Sequence, residues 1–385
     1  MSRGKISAVL DTQAVTCMKD PRMVHLNGDY LGVAGYNTAN DGYLRTYTVG
    51  VDGDISNSEI DSWNYSSYAQ GPDIIKIPGS TDKYLLGYEP LSGAPGVVNS
   101  LTISITGVIT ESFVDSLTIT NRMVYGKLFH TGDANDICLS NCSYGKLNSY
   151  TVDDAGNIGA SVLDTQDYSD PYIVPGNITS VDGNYYATIY QDNLYTFSID
   201  GSGNITAVDT WDFTEATGLY SIIMKKVPNS TTYMIASRDA DTHGEIITFS
   251  ISNTGVITKS VIDTLDFESG ACGGIGNIIH AGDDYFTISG RSGSDGKVYT
   301  FTCDAAGELS NTIIDSATFY DGTAAVMGAS HMQLIHQGGM SGVDTYAVIY
   351  NISATENGEL TTFTIGSPWR NPGGDINPYK TRISS

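Results

Sequence analysis

The chain has 385 residues, among them 43 Gly and 25 Tyr, and only 16% are charged. That composition suits many short strands and turns, and no helical stretch is evident. The formal charge of −24 repels phosphate backbones and anionic lipid and so argues against nucleic acid and membrane surfaces as partners; no run of about 20 apolar residues is present to span or insert into a membrane.

In chain order, an aliphatic residue followed by Asp and then Ser or Thr occurs at Leu10-Asp11-Thr12, Ile60-Asp61-Ser62, Val114-Asp115-Ser116, Leu163-Asp164-Thr165, Val208-Asp209-Thr210, Ile262-Asp263-Thr264 and Ile314-Asp315-Ser316. The Asp recurs every 45–54 residues, the period of a four-stranded propeller blade rather than of a helical hairpin. Six to eight residues before each Asp stands Gly-x-aliphatic, from Gly4-Lys5-Ile6 and Gly53-Asp54-Ile55 to Gly307-Glu308-Leu309, which reads as a tight turn into an outer strand. Six residues before the Gly comes Tyr47, Leu101, Tyr150, Phe197, Phe249 or Phe301, in the polar alternation of a half-buried strand; strand, turn and strand make a hairpin. Two further strands lie upstream, such as Ile74–Ile77 with Tyr84–Tyr88.

The expected fold is therefore all-β: a seven-bladed β-propeller of four-stranded antiparallel blades. Phe363 marks a seventh inner hairpin strand near the C-terminus, but its Gly turn and outer strand appear instead at Gly4 to Asp11. The N-terminal strand is thus expected to close the last blade and remove the open edges that invite aggregation. Residues 1–366 are expected to form this one domain and 367–385 a tail or linker. An Asp repeated seven times is expected to be structural, accepting hydrogen bonds from the turn that follows.

Cys17, Cys138, Cys142, Cys272 and Cys303 share no repeat position and give neither a disulfide framework nor zinc spacing. Asp200-Gly201-Ser202-Gly203-Asn204 and Asp52-Gly53-Asp54 place oxygen ligands at alternate positions, as a calcium loop would, but the ligand set is incomplete and other blades lack it. Plain turns are expected and no cofactor, with structural calcium the alternative. Low Lys and abundant Ser, Thr, Asn and Tyr suggest an extracellular, cell-surface or virion domain, although Met1 leaves no room for a signal peptide before the closing strand.

His25, His130, His280 and His336 end the innermost strands and read as one repeated solvent-facing position, whereas His243 falls in a second-to-third strand loop and His331 in a blade connection. Those two loop classes share the face on which propellers usually bind ligands. On it the second strands end in Tyr36-Asn37, Tyr88-Glu89, Asn141-Cys142, Tyr190-Gln191, Ser237-Arg238, Gly290-Arg291 and Tyr350-Asn351. Aromatic platforms beside amides and guanidiniums suit sugars and carboxylates, and Arg22, Arg122, Arg238 and Arg291 belong to this face or its edges. Trp63 and Trp211 occupy the same connection in two blades, as packing aromatics or a binding shelf.

The pattern Leu194-Tyr195-Thr196-Phe197-Ser198-Ile199-Asp200 through Gly203-Asn204-Ile205 resembles repeats of lactonase-like and YVTN-type surface-layer seven-bladed propellers. For lactonase-like enzymes the resemblance implies a catalytic cluster of Arg, Glu and His in the central channel, to which no residue here is assigned, so no activity is carried over. The expected function is non-catalytic recognition of a glycan or a surface protein through Tyr36, Asn37, Tyr88, Glu89, Tyr190, Gln191, Arg238, Arg291, Tyr350 and Asn351. The alternative is a propeller-type polysaccharide lyase or glycoside hydrolase, with Arg238 or Arg291 neutralising a uronate while His243 or His331 moves protons beside a tyrosine. A third reading is a structural component of a surface or virion assembly. No Gly-x-Ser-x-Gly elbow supports nucleophilic catalysis, and oligomeric state is left open.

Overall fold

In the computed structural model, 28 strands form seven four-stranded antiparallel sheets, and no helix occurs among the described residues. The structure describes residues 4–366 except 17, 124–125, 133–136, 143–144, 169–176, 191–192, 213–221, 239–241, 271, 322–325, 337–342 and 353–356. The expected tail at 367–385 lies outside this set, as do Gln191 and Cys17.

Blade 1 runs from the channel outward as β2 (Lys19–Asn27), β3 (Tyr30–Tyr36), β4 (Gly42–Thr48) and β5 (Asp61–Ser66). Blades 2 to 6 repeat that order over residues 70–118, 127–167, 179–212, 223–268 and 272–320. Blade 7 takes β26 (Val326–His336), β27 (Val343–Ile352) and β28 (Asn357–Gly366) from the end of the chain and its outermost strand, β1 (Asp11–Val15), from the beginning. Asp11 pairs with Thr362 and Val15 with Gly358, and the pairing continues through an Ile6–Ile365 bridge. The N-terminal closure read from the missing seventh hairpin is what the chain uses.

The core lies between blades. Tyr47, Tyr150, Phe197, Phe249, Phe301 and Phe363 on the third strands are at most 2% exposed. In four blades such a ring stacks on its cross-strand partner: Tyr186 on Phe197, Tyr233 on Phe249, Phe286 on Phe301 and Tyr346 on Phe363, with centroids 5.7–6.1 Å apart. Direct cross-strand aromatic pairs of this kind are the unit of sheet stabilisation, and here they also fill the gap to the next blade. Trp63, against Tyr65 and Phe113, and Trp211, against Phe249, join the same packing.

The repeated Asp is a latch between blades. Its Oδ2 accepts the backbone N–H of the Gly-x-aliphatic residue of the next blade: Ile55 to Asp11, Ile109 to Asp61, Ile158 to Asp115, Ile205 to Asp164, Ile257 to Asp209, Leu309 to Asp263 and Ile6 to Asp315, at 2.7–3.0 Å. In six blades Oδ1 accepts the N–H of the Ser or Thr that follows it, at 2.8 Å. The structural role expected for this Asp holds, but the turn it binds belongs to the neighbouring blade rather than its own. A second belt runs beside the first: hydroxyls of Thr46, Ser100, Ser149, Thr196, Thr248, Thr300 and Thr362 donate to the carbonyls of Gly107, Gly156, Gly203, Gly255, Gly307, Gly4 and Gly53. These seven glycines all have φ between +69° and +97°, a backbone that side chains rarely adopt. At Gly53 and Gly203 a Cβ would also strike Leu10 or Leu163 of the preceding blade at 2.5 and 2.4 Å.

Candidate functional site: central channel and loop face

The innermost strands line a central cavity of about 410 Å³. Equivalent positions on successive blades hold Arg22, Asp73, Lys127, Asn177, Ile223, Asn277 and His331, each one residue before an apolar residue that turns into a blade. Where the side chain can accept, it bonds the backbone of the next blade: Asp73 Oδ2 takes Leu128 N–H at 2.8 Å and His331 Nδ1 takes Met23 N–H at 3.0 Å. Asn177 and Asn277 take the N–H of Met224 and Met332 and donate to the same residues' carbonyls, at 2.6–2.7 Å. Arg22, Lys127 and Ile223 have no acceptor and cannot serve this way.

Charge is concentrated here. Arg22, Lys76, Lys127 and Lys225 line the cavity with Asp73 as the one carboxylate among the described lining residues, in a protein of formal charge −24. Lys76 is engaged, donating to Leu26 O at 3.0 Å and lying over Tyr84. Arg22 Nε stands 3.8 Å from Asp73 Oδ1 and has no hydrogen-bond partner, although buried. Burial, reinforced by Arg22, brings the Lys127 ammonium down to about 8, against the pull of Asp73 and Asp20; burial also lowers Lys225. Burial, Arg22 and Lys127 together hold His331 well below the ordinary imidazole range. Its Nδ1 accepts a hydrogen bond, so the ring is neutral with its proton on Nε2.

The residues expected on the loop face are divided by the structure. Tyr36, Tyr88, Tyr190 and Tyr350 are at most 8% exposed: their rings pack between blades, Tyr88 on Tyr65, Tyr190 on Tyr168, Tyr350 on Phe319, instead of offering an open stacking surface. The hydroxyls of three of them are tied down, Tyr36 to Asp20, Tyr190 to Lys146 O and Tyr350 to Glu359. Glu89 is fully buried and accepts a two-pronged bond from Arg122 Nε and Nη2, both at 2.9 Å, as well as Gly93 N–H. Asn37 holds its own turn through Asp41, and Asn351 is buried. Alternating strand residues that look like loop-end platforms are core because the second strand is buried on both faces.

Arg238, paired with Gly244, and Arg291, paired with Gly274, flank the seam of blades 5 and 6, and the charge of each acts on Cys272. Burial pushes the Cys272 thiol up to about 11 even though both guanidiniums act to lower it, and Arg291 lies so close over the backbone that a Cβ on Gly273 would stand 1.8 Å from its Nε. Glu268 at this seam accepts from the Tyr299 hydroxyl and faces Lys297 at 3.5 Å. His243 directly precedes Gly244, which pairs with Glu268. None of Arg238, Arg291 and His243 lines the channel cavity.

His331 lies elsewhere than expected: it sits in the innermost strand β26 and lines the channel, not a blade connection, and Arg22 likewise belongs to β2. The lyase arrangement that would join His331 to Arg238 or Arg291 is thereby split between two places. His25 and His280 donate from Nε2 to the carbonyl three residues on, Gly28 O and Asp283 O, and His130 is buried, taking Gly132 N–H. These histidines brace the first turn of the blade rather than simply facing solvent; His280 is held below its ordinary range by burial. The carboxylate of Asp200 takes the N–H groups of Ser202 and Asn204 and the Asn204 amide, the bonding of a self-contained turn. Asp73, Lys127, Asn177 and Asn277 went unremarked in the sequence, yet their position recurs every 46–54 residues from Arg22 to His331, tracking the blade period.

No family model matches the chain, and no curated protein matches it in sequence. Solved structures match its fold. The crystal structure of Raptor from Chaetomium thermophilum superposes with a TM-score of 0.59 at 10% identity, over 95% of this chain and 30% of that one; this chain thus spans under a third of that protein. The β-propeller domain of Cps50 (Swd1) from Myceliophteria thermophila gives a TM-score of 0.57 at 10% identity, over 94% of this chain and 99% of that domain. At such identity the likeness is one of fold: the chain is a seven-bladed β-propeller.

Proposed function

We propose that this propeller is a recognition module that engages an acidic segment of a protein partner at the seam of blades 5 and 6, with Arg238 and Arg291 as the carboxylate-reading groups. The observation that supports it is that both guanidiniums flank this seam and act on Cys272, in a chain of formal charge −24. Two half-buried guanidiniums on rigid strand ends suit forked recognition of carboxylates. A glycan would find few open aromatic rings among the expected tyrosines, so the protein partner is the better fit; an extracellular or surface setting is compatible with it. Titration of labelled acidic peptides and of oligogalacturonates tests this reading. Binding of the peptides, weakened about tenfold or more in the Arg238→Gln/Arg291→Gln double variant, is expected. Unsaturated uronate or new reducing ends released from the oligogalacturonates would instead establish a carbohydrate enzyme, and binding indifferent to both arginines would move the interface elsewhere.

A further inference from the structure

We propose that the central channel is a binding site for a small multivalent oxyanion, phosphoryl or carboxylate, held between Arg22 and Lys127 on one wall and Lys225 across from them. Blades 1 and 3 supply Arg22 and Lys127 on either side of Asp73 of blade 2, and blade 5 supplies Lys225 from the far side of the ring. The carboxylate cannot balance these three charges: Asp73 already spends Oδ2 on Leu128 N–H and stands 3.8 Å from Arg22 Nε. Arg22 Nε is buried without a hydrogen-bond partner. The Nζ atoms of Lys127 and Lys225 make no hydrogen bond or ion pair with any described residue, in contrast to Lys76 and Lys226, which donate to the carbonyls of Leu26 and Val181 of the preceding blade.

Half-buried cations without a partner are costly to keep, and a chain selected only for stability would place apolar residues there. Ile223 occupies the same ring position in blade 5 without harm to the fold. A cavity of about 410 Å³ is within the range of small-ligand sites. It is walled by Ile74, Leu128, Ile178 and Ile278, which lower the local dielectric and strengthen charge pairing. An entering anion would take bonds from Arg22 and Lys127 and raise the Lys127 ammonium back toward its ordinary range. The groups that face Lys127 are Arg22 and Asp20 of β2, Asp73 of blade 2 and neutral His331 of β26.

Isothermal titration of the full chain near neutral pH with inorganic pyrophosphate and, separately, citrate tests the site, with sodium chloride at matched ionic strength as control. Saturable binding of at least one is expected. Lys127→Met and Lys225→Met should each weaken it about tenfold or more, and both variants remove a half-buried charge that no described residue pairs, so folding is not at risk. Wild-type affinity should fall as pH rises past about 8, more steeply than that of Lys127→Met, in which only Lys225 keeps a lowered ammonium. Pyrophosphate alone would assign a phosphoryl ligand, citrate alone a polycarboxylate, and both a site that reads charge. No heat beyond the chloride control, or binding that both lysine variants retain in full, would overturn the proposal.

Discussion

Around the outer belt each of seven equivalent positions is Asp, and each carboxylate reaches the same N–H of the next blade at 2.7–3.0 Å. Around the channel wall the equivalent positions are Arg22, Asp73, Lys127, Asn177, Ile223, Asn277 and His331, and only four of them latch to a neighbour. The belt must rotate every blade by nearly the same angle for the ring to close, so one solution is repeated. The wall sits on strands already held by that belt and by the aromatic stacks. It is free to vary, and variation concentrated on one ring of a repeat protein is where function can be written.

The largest test removes part of the belt outright. Deleting residues 2–12 strips blade 7 of the Asp11 and Thr12 pairs of β1, the Ile6–Ile365 bridge, the Asp11 latch to Ile55, the Ile6 latch to Asp315 and the Gly4 carbonyl that accepts from Thr300. A loss of about 5 kcal/mol or more is expected, comparable with the whole stability of a domain, read as aggregation or a collapsed melting transition. A circular permutant joining the termini and opening another loop should fold. A deletion variant that melts like the parent would show that the belt does not need the N-terminal strand.

Next come single latches, inner against outer. Asn277→Leu leaves both the N–H and the carbonyl of Met332 unsatisfied within the ring and should cost about 3 kcal/mol. Asp263→Ala strands the N–H groups of Thr264 and Leu309, which lie nearer solvent, and should cost about 2 kcal/mol. The same substitution at Asp61 or Asp115 should cost the same within error, because the bonds are the same. Denaturant unfolding measures all of these. Unequal costs among the Asp variants would mean that the belt carries site-specific roles.

Most of the fold was legible because the belt repeats: the aliphatic-Asp-Ser/Thr motif and the Gly turn recur with little change of spacing, and the missing seventh hairpin pointed to the N-terminus. What the motif could not show is its partner, since Asp61 and Ile109 meet across blades, 48 residues apart. The candidate site was legible only in part. Tyr88, Tyr190 and Tyr350 read as loop-end platforms because they follow apolar runs, but strands buried on both faces put every residue in contact with a neighbouring blade. Arg22 and His331 read as connection residues because β2 and β26 begin earlier than the apolar pattern suggests, at Lys19 and Val326. Lys127 gave no local signal at all. Its meaning comes from Arg22 and Asp73, which chain folding alone brings beside it.

The smallest expected effect is also the sharpest contrast between the two rings. Replacing a belt residue should always destabilise, whereas Lys127→Met should stabilise, by about 1 kcal/mol near neutral pH once water in the channel is allowed for. The sign follows from linkage. The folded-state pKa of Lys127 is depressed to about 8 from 10.5, so between those values the unfolded chain binds more protons and stability rises with pH. Below about 8 the full penalty of the buried ammonium is present in the wild type; as pH climbs from there toward 10.5 it is relieved, and the advantage of the variant should shrink to nothing. Melting curves of both proteins between about pH 7 and pH 10 measure it. Saturating pyrophosphate or citrate should erase the variant's advantage at neutral pH, because the anion binds the wild type more tightly, by about tenfold or more. A variant less stable than the wild type below pH 8 without any anion would mean that Asp73 already balances Lys127, and the contrast between a structural belt and a functional wall would lose its strongest support.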